Sequence, residues 1–313
     1  MNEASRRQSF RVVHSKSFDC EFAVRRCITG GAPWSWRAPL RQRGKVQTTY
    51  IGHATLLLEI SGIRILTDPN FESSLGRFLP RVSAPGIALE ALPKLDALLL
   101  THAHADHLSF KTLDRLPADI PLYAPGVIAK WLRTKGYANA LAIEPGESIS
   151  LAGGALRIHA GRATHQGSRY GFDRWRSAAN MYLLENDIES VFFAGDTALT
   201  DSTHHLVESV LWRNRRELDV ALLPIGYAPA WKPGFRRGHL TGGDALSLFE
   251  TLRARAMLPY HWGTFRHVTA TAHDAINRLR KSLEAYAGRE RVHIVELGET
   301  LIVNSDAIWR TRP

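Results

Sequence analysis

Residues 101–108 read THAHADHL, so His102, His104, Asp106 and His107 fall within six positions directly after the apolar run ALLL at 97–100. His102 and His104 are two apart. On an extended segment they point the same way, and both imidazoles can reach one ion. Asp106 and His107 follow as the chain turns, face a different direction and suit a second ion. Imidazole mixed with carboxylate is a donor set for zinc, or for manganese or iron. A chance cluster of surface histidines fits poorly, because two further strand ends downstream also carry metal-type side chains.

Outward from that stretch the chain reads as short β-type runs separated by turns. VQTTYIG (46–52), TLLLEISG (55–62) and IRILTDP (63–69) predict consecutive strands, with Ser61-Gly62 as a tight hairpin signal. LDALLLTH (95–102) predicts a buried strand that ends at the histidines. Downstream, FKTLDRLP reads as a short helix, PLYAP as a strand, and GVIAKWLRTKG as a helix closed by Gly136. Three strands with glycine turns are expected over 142–165. ANMYLLENDIESVFFAGDT predicts a pair whose second strand ends at Asp196, and AMLPYHWGT a strand ending at His261. Helices are expected over HHLVESVLWRNR, TGGDALSLFETLRAR and AHDAINRLRKSLEAY, and VHIVELGETLIV predicts a closing hairpin with Gly298 in its turn. Strands in runs, then strands alternating with helices, suggest sheets packed on each other with helices outside.

HAHADH fits the pattern HxHxDH, and from about Tyr50 to Val303 the chain resembles the metallo-β-lactamase superfamily. GHATLLLEISGIRILTDPNF (52–71), FFAGDT (192–197), LLPIGYAPAW (222–231) and YHWGTF (260–265) resemble one branch of it. That branch holds N-acyl-phosphatidylethanolamine phospholipase D and the ascorbate-6-phosphate lactonases, and the phospholipase-like group is the nearer. The resemblance implies an α/β chain with the metallo-β-lactamase fold, a four-layer αββα sandwich. It implies two divalent ions, zinc first, with manganese or iron as alternatives. His102, His104 and His165 would hold the first ion, Asp106, His107 and His261 the second, and Asp196 would bridge them. The residues agree, since each stands where a predicted strand runs into a loop and one sheet edge can collect them. His159 competes with His165, but it sits inside its strand, whereas His165 follows the strand's end.

The activity implied is that of a metal-dependent hydrolase, a phosphodiesterase of the phospholipase D-like type that uses a metal-bridging hydroxide as nucleophile. Asp106 would orient that hydroxide as well as bind metal. A lactonase acting on a phosphorylated sugar-like substrate is the alternative, with a nuclease behind it. No GxSxG elbow and no GxxxxGK[ST] phosphate loop occurs. Asp68, in LTDP, is expected to accept the free N–H of a ligand histidine; its other reading is a turn cap before Pro69. His53, in GHAT, is expected beside the site without ligating. His239, in FRRGHL, aligns with a histidine near the reaction centre of the phospholipase-like group. It would protonate a leaving alkoxide or hold a phosphate oxygen, or else simply start a helix. YGFDRWR (170–176) and APAWKPGFRR (228–237) are rich in arginine and aromatics and would suit an anionic head bearing an apolar group, or form ordinary surface loops. The remaining histidines, His14, His204, His205, His267, His273 and His293, match no ligand pattern.

The 313 residues carry a net charge of +10, of which residues 1–45 hold +7 through ten Lys/Arg against three acids. The chain therefore divides into a basic N-terminal extension, 1–45, and a hydrolase domain, 46–313. Such an extension reads first as a solvated, partly disordered arm. It would also suit contact with an anionic membrane or nucleic acid, though its location outside the hydrolase domain argues against nucleic acid as substrate. The two cysteines, Cys20 and Cys27, fit a reducing compartment. With no apolar export core near the N-terminus and no run long enough to span a bilayer, the expectation is a cytoplasmic protein, peripheral to the membrane if the extension binds it. A small-molecule or phospholipid substrate and a homo-oligomer complete the expected partners.

Overall fold

In the computed structural model the chain lays down β1 (Lys45–Gly52), β2 (Thr55–Ile60), β3 (Ile63–Thr67), a short pair β4 (Ser74–Leu75) and β5 (Leu79–Pro80), and β6 (Ala97–Leu99). Next come α1 (Phe110–Leu113), β7 (Leu122–Ala124), α2 (Gly126–Thr134), β8 (Ala140–Ala142), β9 (Ser148–Leu151), β10 (Leu156–Arg162), β11 (Asn180–Glu185) and β12 (Ser190–Phe193). The chain continues through α3 (His205–Val210), β13 (Val220–Pro224), α4 (Gly242–Leu252), β14 (Ala256–Tyr260), α5 (Asp274–Leu283), β15 (Thr300–Asn304) and β16 (Ile308–Thr311). The structure describes residues 44–76, 79–169, 177–226, 237–266 and 270–312. Nearly all of the basic extension, both cysteines, His14, His267, the segment 170–176 and all of 228–237 except Arg237 lie outside the described residues.

One sheet has eight strands in the order β16-β15-β1-β2-β3-β6-β7-β8, and the other has six in the order β14-β13-β12-β11-β10-β9. The side-chain period of two explains how they stack. Leu56, Leu58 and Ile60 of β2, Ile63 and Ile65 of β3, and Ala97 and Leu99 of β6 bury into one core with Ile158, Tyr182, Leu184 and Phe193 of the second sheet. The alternate residues Leu57, Leu66 and Leu98 bury on the other face, against Leu113 of α1 and Ile128 and Leu132 of α2. On the far side, α3 packs against β10 and α4 against β13 and α5. The outcome is the four-layer αββα sandwich. Ser61 and Gly62, with φ of 50° and 79°, make the two-residue hairpin that positive φ at both central positions permits.

Pairing direction places the site. β3–β6 and β6–β7 are parallel in the first sheet, as are β12–β13 and β13–β14 in the second. Their carboxyl ends therefore open onto one edge of the sandwich, where loops can gather functional side chains.

The closing hairpin differs from expectation. Residues 292–297 form no strand beyond a single parallel bridge from Val292 to Met257. The hairpin is instead β15 with β16, and β15 also pairs antiparallel with β1. Its turn is nucleated by Asn304, whose side-chain oxygen accepts from the backbone N–H groups of Asp306 and Ala307. Gly298, with φ of 86°, serves the turn before β15 and donates its N–H to Tyr50 O.

Candidate metal centre

The edge collects every residue predicted to ligate. β6 runs out into His102, His104, Asp106 and His107; His165 lies beyond β10 and Asp196 beyond β12, while His261 directly follows β14. His102 Nε2 and His165 Nε2 stand 2.9 and 3.1 Å from His104 Nδ1. His107 Nε2 is 3.2 Å from His261 Nε2, and Asp106 Oδ2 lies 3.8 and 3.7 Å from the same two nitrogens. Asp196 stands between the trios. Its Oδ2 is 3.3 Å from His107 Nε2 and 4.0 Å from both His102 Nε2 and His165 Nε2, and its Oδ1 is 3.4 Å from His261 Nε2.

Hydrogen bonds on the outer side decide which nitrogens face inward. Asp68 accepts from Thr101 N at 2.7 Å, Thr101 Oγ1 at 2.6 Å and His107 Nδ1 at 2.7 Å. The Thr101 hydroxyl proton is thereby committed to Asp68, so its oxygen accepts from His102 Nδ1 at 2.9 Å. His165 Nδ1 donates to Gly238 O at 2.7 Å. In His102, His107 and His165 the Nδ1–H is thus engaged outward and the Nε2 lone pair is turned to the centre, the arrangement that prepares a histidine to bind a metal. Asp68 performs the buttressing role read from LTDP. Thr101, which the sequence reading passed over, ties Asp68 to His102; its one signal is its place between the apolar run and the first histidine.

Electrostatics favour the ligand forms. Burial, then neighbouring histidines, hold His102 well below the ordinary histidine value, and burial brings His165 down to about 3. Burial likewise lowers His104. Burial pushes Asp106 and Asp196 up, but the surrounding histidines win and keep both carboxylates well below their usual range. His107 is the exception. Burial opposes its charge, yet Asp196, Asp106 and Asp68 together raise it well above the ordinary value.

The donor set fits divalent ions. Asp196 Oδ1 is buried and makes no hydrogen bond, a costly state for a carboxylate oxygen unless a cation meets it. Backbone geometry points the same way. His53, Asp68 and His261 hold φ of 56°, 34° and 71°, conformations costing about 1–3 kcal/mol each that concentrate at functional sites. Gly226 and Gly238 are required by close approach, since a Cβ would stand 2.6 Å from His261 Nδ1 and 2.8 Å from His165 Nδ1.

His53 lies against the centre, as expected. Its Nε2 contacts Asp106 Oδ2 at 2.9 Å, its ring sits 3.7 Å from that of His261, and its backbone N–H donates to Thr264 Oγ1. Burial brings it down to about 3. His239 Nε2 is 3.4 Å from Asp196 Oδ2, and the residue precedes α4. It borders two cavities. One, of about 140 Å³, runs from His53, Asp106 and His261 to Trp262, Phe265 and Leu79. The other, of about 700 Å³, runs from His104 and His165 to Arg162 and Arg237. His159 stays outside the centre, 3.3 Å from Glu185 Oε1. His204 and His205 meet Glu208 on the surface at α3, a grouping the sequence reading did not single out.

Residues 63–262 match the family model described as a beta-lactamase superfamily domain. The chain belongs to the metallo-β-lactamase superfamily. It is 28% identical over 234 residues to the N-acyl-phosphatidylethanolamine-hydrolyzing phospholipase D 1 of Caenorhabditis elegans, covering 69% of this chain and 64% of that protein. It is also 28% identical over 266 residues to the mitochondrial N-acyl-phosphatidylethanolamine-hydrolyzing phospholipase D of Saccharomyces cerevisiae, covering 82% and 55%. The chain thus spans less than two thirds of these two relatives. A metal-dependent hydrolase of Exiguobacterium is 28% identical over 239 residues, covering 74% of this chain and 93% of the relative. Among solved structures, an isothiocyanate hydrolase from Delia radicum gut bacteria superposes with a TM-score of 0.64 at 23% identity, over 81% of this chain and 98% of its own. Igni18, a metallo hydrolase from Ignicoccus hospitalis, superposes with a TM-score of 0.59 at 24% identity, over 83% and 98%. Both show the fold. No helix among the described residues is long and apolar enough to cross a membrane.

Proposed function

We propose that this chain, a metal-dependent hydrolase of the metallo-β-lactamase superfamily, cleaves phosphodiesters, with phospholipids of the N-acyl-phosphatidylethanolamine type as the leading substrate class. The carrying observation is that two cavities meet at one histidine–aspartate centre and share His239 as a wall. A phosphodiester has two substituents on one phosphorus, and this arrangement gives each its own cavity. The smaller cavity, walled by Leu75, Leu79, Trp262 and Phe265, suits an apolar substituent. The phospholipase D names of two relatives support the same substrate class.

In this reading His102, His104 and His165 hold one ion, Asp106, His107 and His261 a second, and Asp196 stands between them. Divalent ions there, zinc first, would lower the pKa of bound water and neutralise charge on phosphoryl oxygens. Asp106, kept ionised, accepts a hydrogen bond from the attacking water and aims it at phosphorus, while His53 pins the carboxylate. As the new P–O bond forms, the bond to the leaving oxygen breaks and His239 gives that oxygen its proton. The proton shed by the water passes to solvent, and His239 is reprotonated from solvent before the next turnover. Thr101 and Asp68 keep His102 and His107 turned inward throughout. The basic residues 1–45 supply the contact with an anionic lipid surface.

The test is product analysis with zinc-loaded full-length protein on vesicles of N-acyl-phosphatidylethanolamine, beside a soluble diester and a panel of lactones. Phosphatidate release, weakened when residues 1–43 are removed, is expected. Cleavage of soluble diesters alone would sink the lipid assignment, and lactone opening without any diester cleavage would overturn the phosphodiesterase reading.

A further inference from the structure

The larger cavity has a chemistry of its own. From His104, His165 and His239 it extends past Gln166 and Ser168 to Arg162 and Arg237. Both arginines are exposed, and among the described residues that line the cavity none is Asp or Glu. Arg162 ends β10, and its Nη1 donates to Ser177 O at 3.2 Å, which steadies the guanidinium at the wall. Arg237 directly precedes Gly238, whose carbonyl holds His165, so its backbone is tied to the metal centre. Two arginines line this space, and among the described residues no carboxylate lines it to neutralise them. Planar guanidinium forks match carboxylate and phosphate oxygens in pairs, so such a lining makes a receptor for an anion.

We propose that this cavity is an anion subsite in which Arg162 and Arg237 bind a second negatively charged group, carboxylate or phosphate, on the substituent opposite the apolar one. The inference rests on the two-cavity reading above. It narrows the substrate to an amphipathic phosphodiester whose polar arm ends in an anion, a group that N-acyl-phosphatidylethanolamine itself lacks, so the subsite favours another phosphodiester over that lipid. The apolar arm lies along Trp262 and Phe265, the scissile group at the centre, and the terminal anion at the arginines. Arg162 and Arg237 are specificity-determining residues in this scheme, and neither touches the reacting atoms.

The experiment is calorimetric binding to zinc-loaded full-length protein of three matched inert probes: benzylphosphonate, 4-carboxybenzylphosphonate and 4-phosphonobenzylphosphonate. All three present one phosphonate to the centre, and they differ only in the distal group. A charged distal group is expected to tighten binding about tenfold, the scale of one charge-assisted pair. The carboxylate and phosphonate arms show which anion the subsite prefers. Arg162→Ala and Arg237→Ala each shrink that preference, their combination removes it, and Arg162→Lys keeps part of it. Equal binding of all three probes by the unaltered protein, or an undiminished preference in the double variant, overturns the subsite. Hydrolysis of bis(p-nitrophenyl) phosphate is measured on the same samples. In the unaltered protein, its absence beside an intact binding preference would sink the phosphodiesterase reading alone, and its presence beside equal binding of the three probes would sink the subsite alone.

Discussion

Thr101 and Asp68 control the metal centre without facing it. Asp68 accepts three hydrogen bonds, and through Thr101 it sets the tautomer of His102 as well as that of His107. Asp68→Asn keeps the shape but offers an amide where a carboxylate stood, and it is expected to weaken zinc binding about 10–100-fold in chelator competition; unchanged affinity would remove Asp68 from the account. His107 gives a pH prediction. Its folded value is raised above the ordinary 6.5. In the metal-free chain its pairing with Asp196, Asp106 and Asp68 therefore stabilises the fold fully below about 6.5, and that contribution is lost as pH rises through the raised value. A metal must displace this proton, so uptake near neutral pH should release a proton and strengthen as pH rises. Calorimetric titration in buffers of different ionisation enthalpy should give different apparent enthalpies, and identical ones would contradict it. At this scale much was legible in the sequence. The spacing of His102, His104, Asp106 and His107 pointed to a cluster that the fold does bring together, and His165, after its strand, joins it while His159 stays outside. Thr101 was not legible, because its role depends on where Asp68 comes to rest.

Elements deliver these residues through their ends. Helix α4 begins with a capping box in which Thr241 Oγ1 accepts from Asp244 N and Asp244 Oδ2 accepts from Thr241 N. Thr241→Ala should cost about 1 kcal/mol in denaturant unfolding, and no loss would mean the cap is idle. Gly226 meets the back of the His261 ring, so Gly226→Ala should displace that ligand and lower zinc affinity while leaving the fold cooperative by thermal melting; wild-type affinity would show that the ring can give way. Strand identities followed from apolar alternation in β2 and β3 and from the uninterrupted run of β6. The closing hairpin did not. VHIVEL carries as strong a strand pattern as LIV, but β1 and β16 flank β15, and 292–297 is left with one bridge to β14. Which apolar run gains a partner is settled by the sheet, not by the run.

Across the whole molecule, two sheets with parallel strands in each turn their carboxyl ends to one edge, and the centre joins them. His102, His104, Asp106 and His107 come from the first sheet, while His165, Asp196 and His261 come from the second. Ions held there would tie both sheets together and would bind only the folded state. Each site should therefore add about 2.7 kcal/mol when free metal exceeds its Kd a hundredfold, and chelation should lower the melting temperature. In the proposed function this junction is a two-ion centre for phosphodiester hydrolysis. Its most direct test is the initial rate on bis(p-nitrophenyl) phosphate as zinc is added back to stripped protein, alongside Asp106→Ala. Activity is expected to rise to a break at two ions per chain, with the variant about 10²–10⁴-fold slower. Saturation at one ion, no turnover in fully loaded protein, or an Asp106→Ala variant as fast as the parent would contradict it.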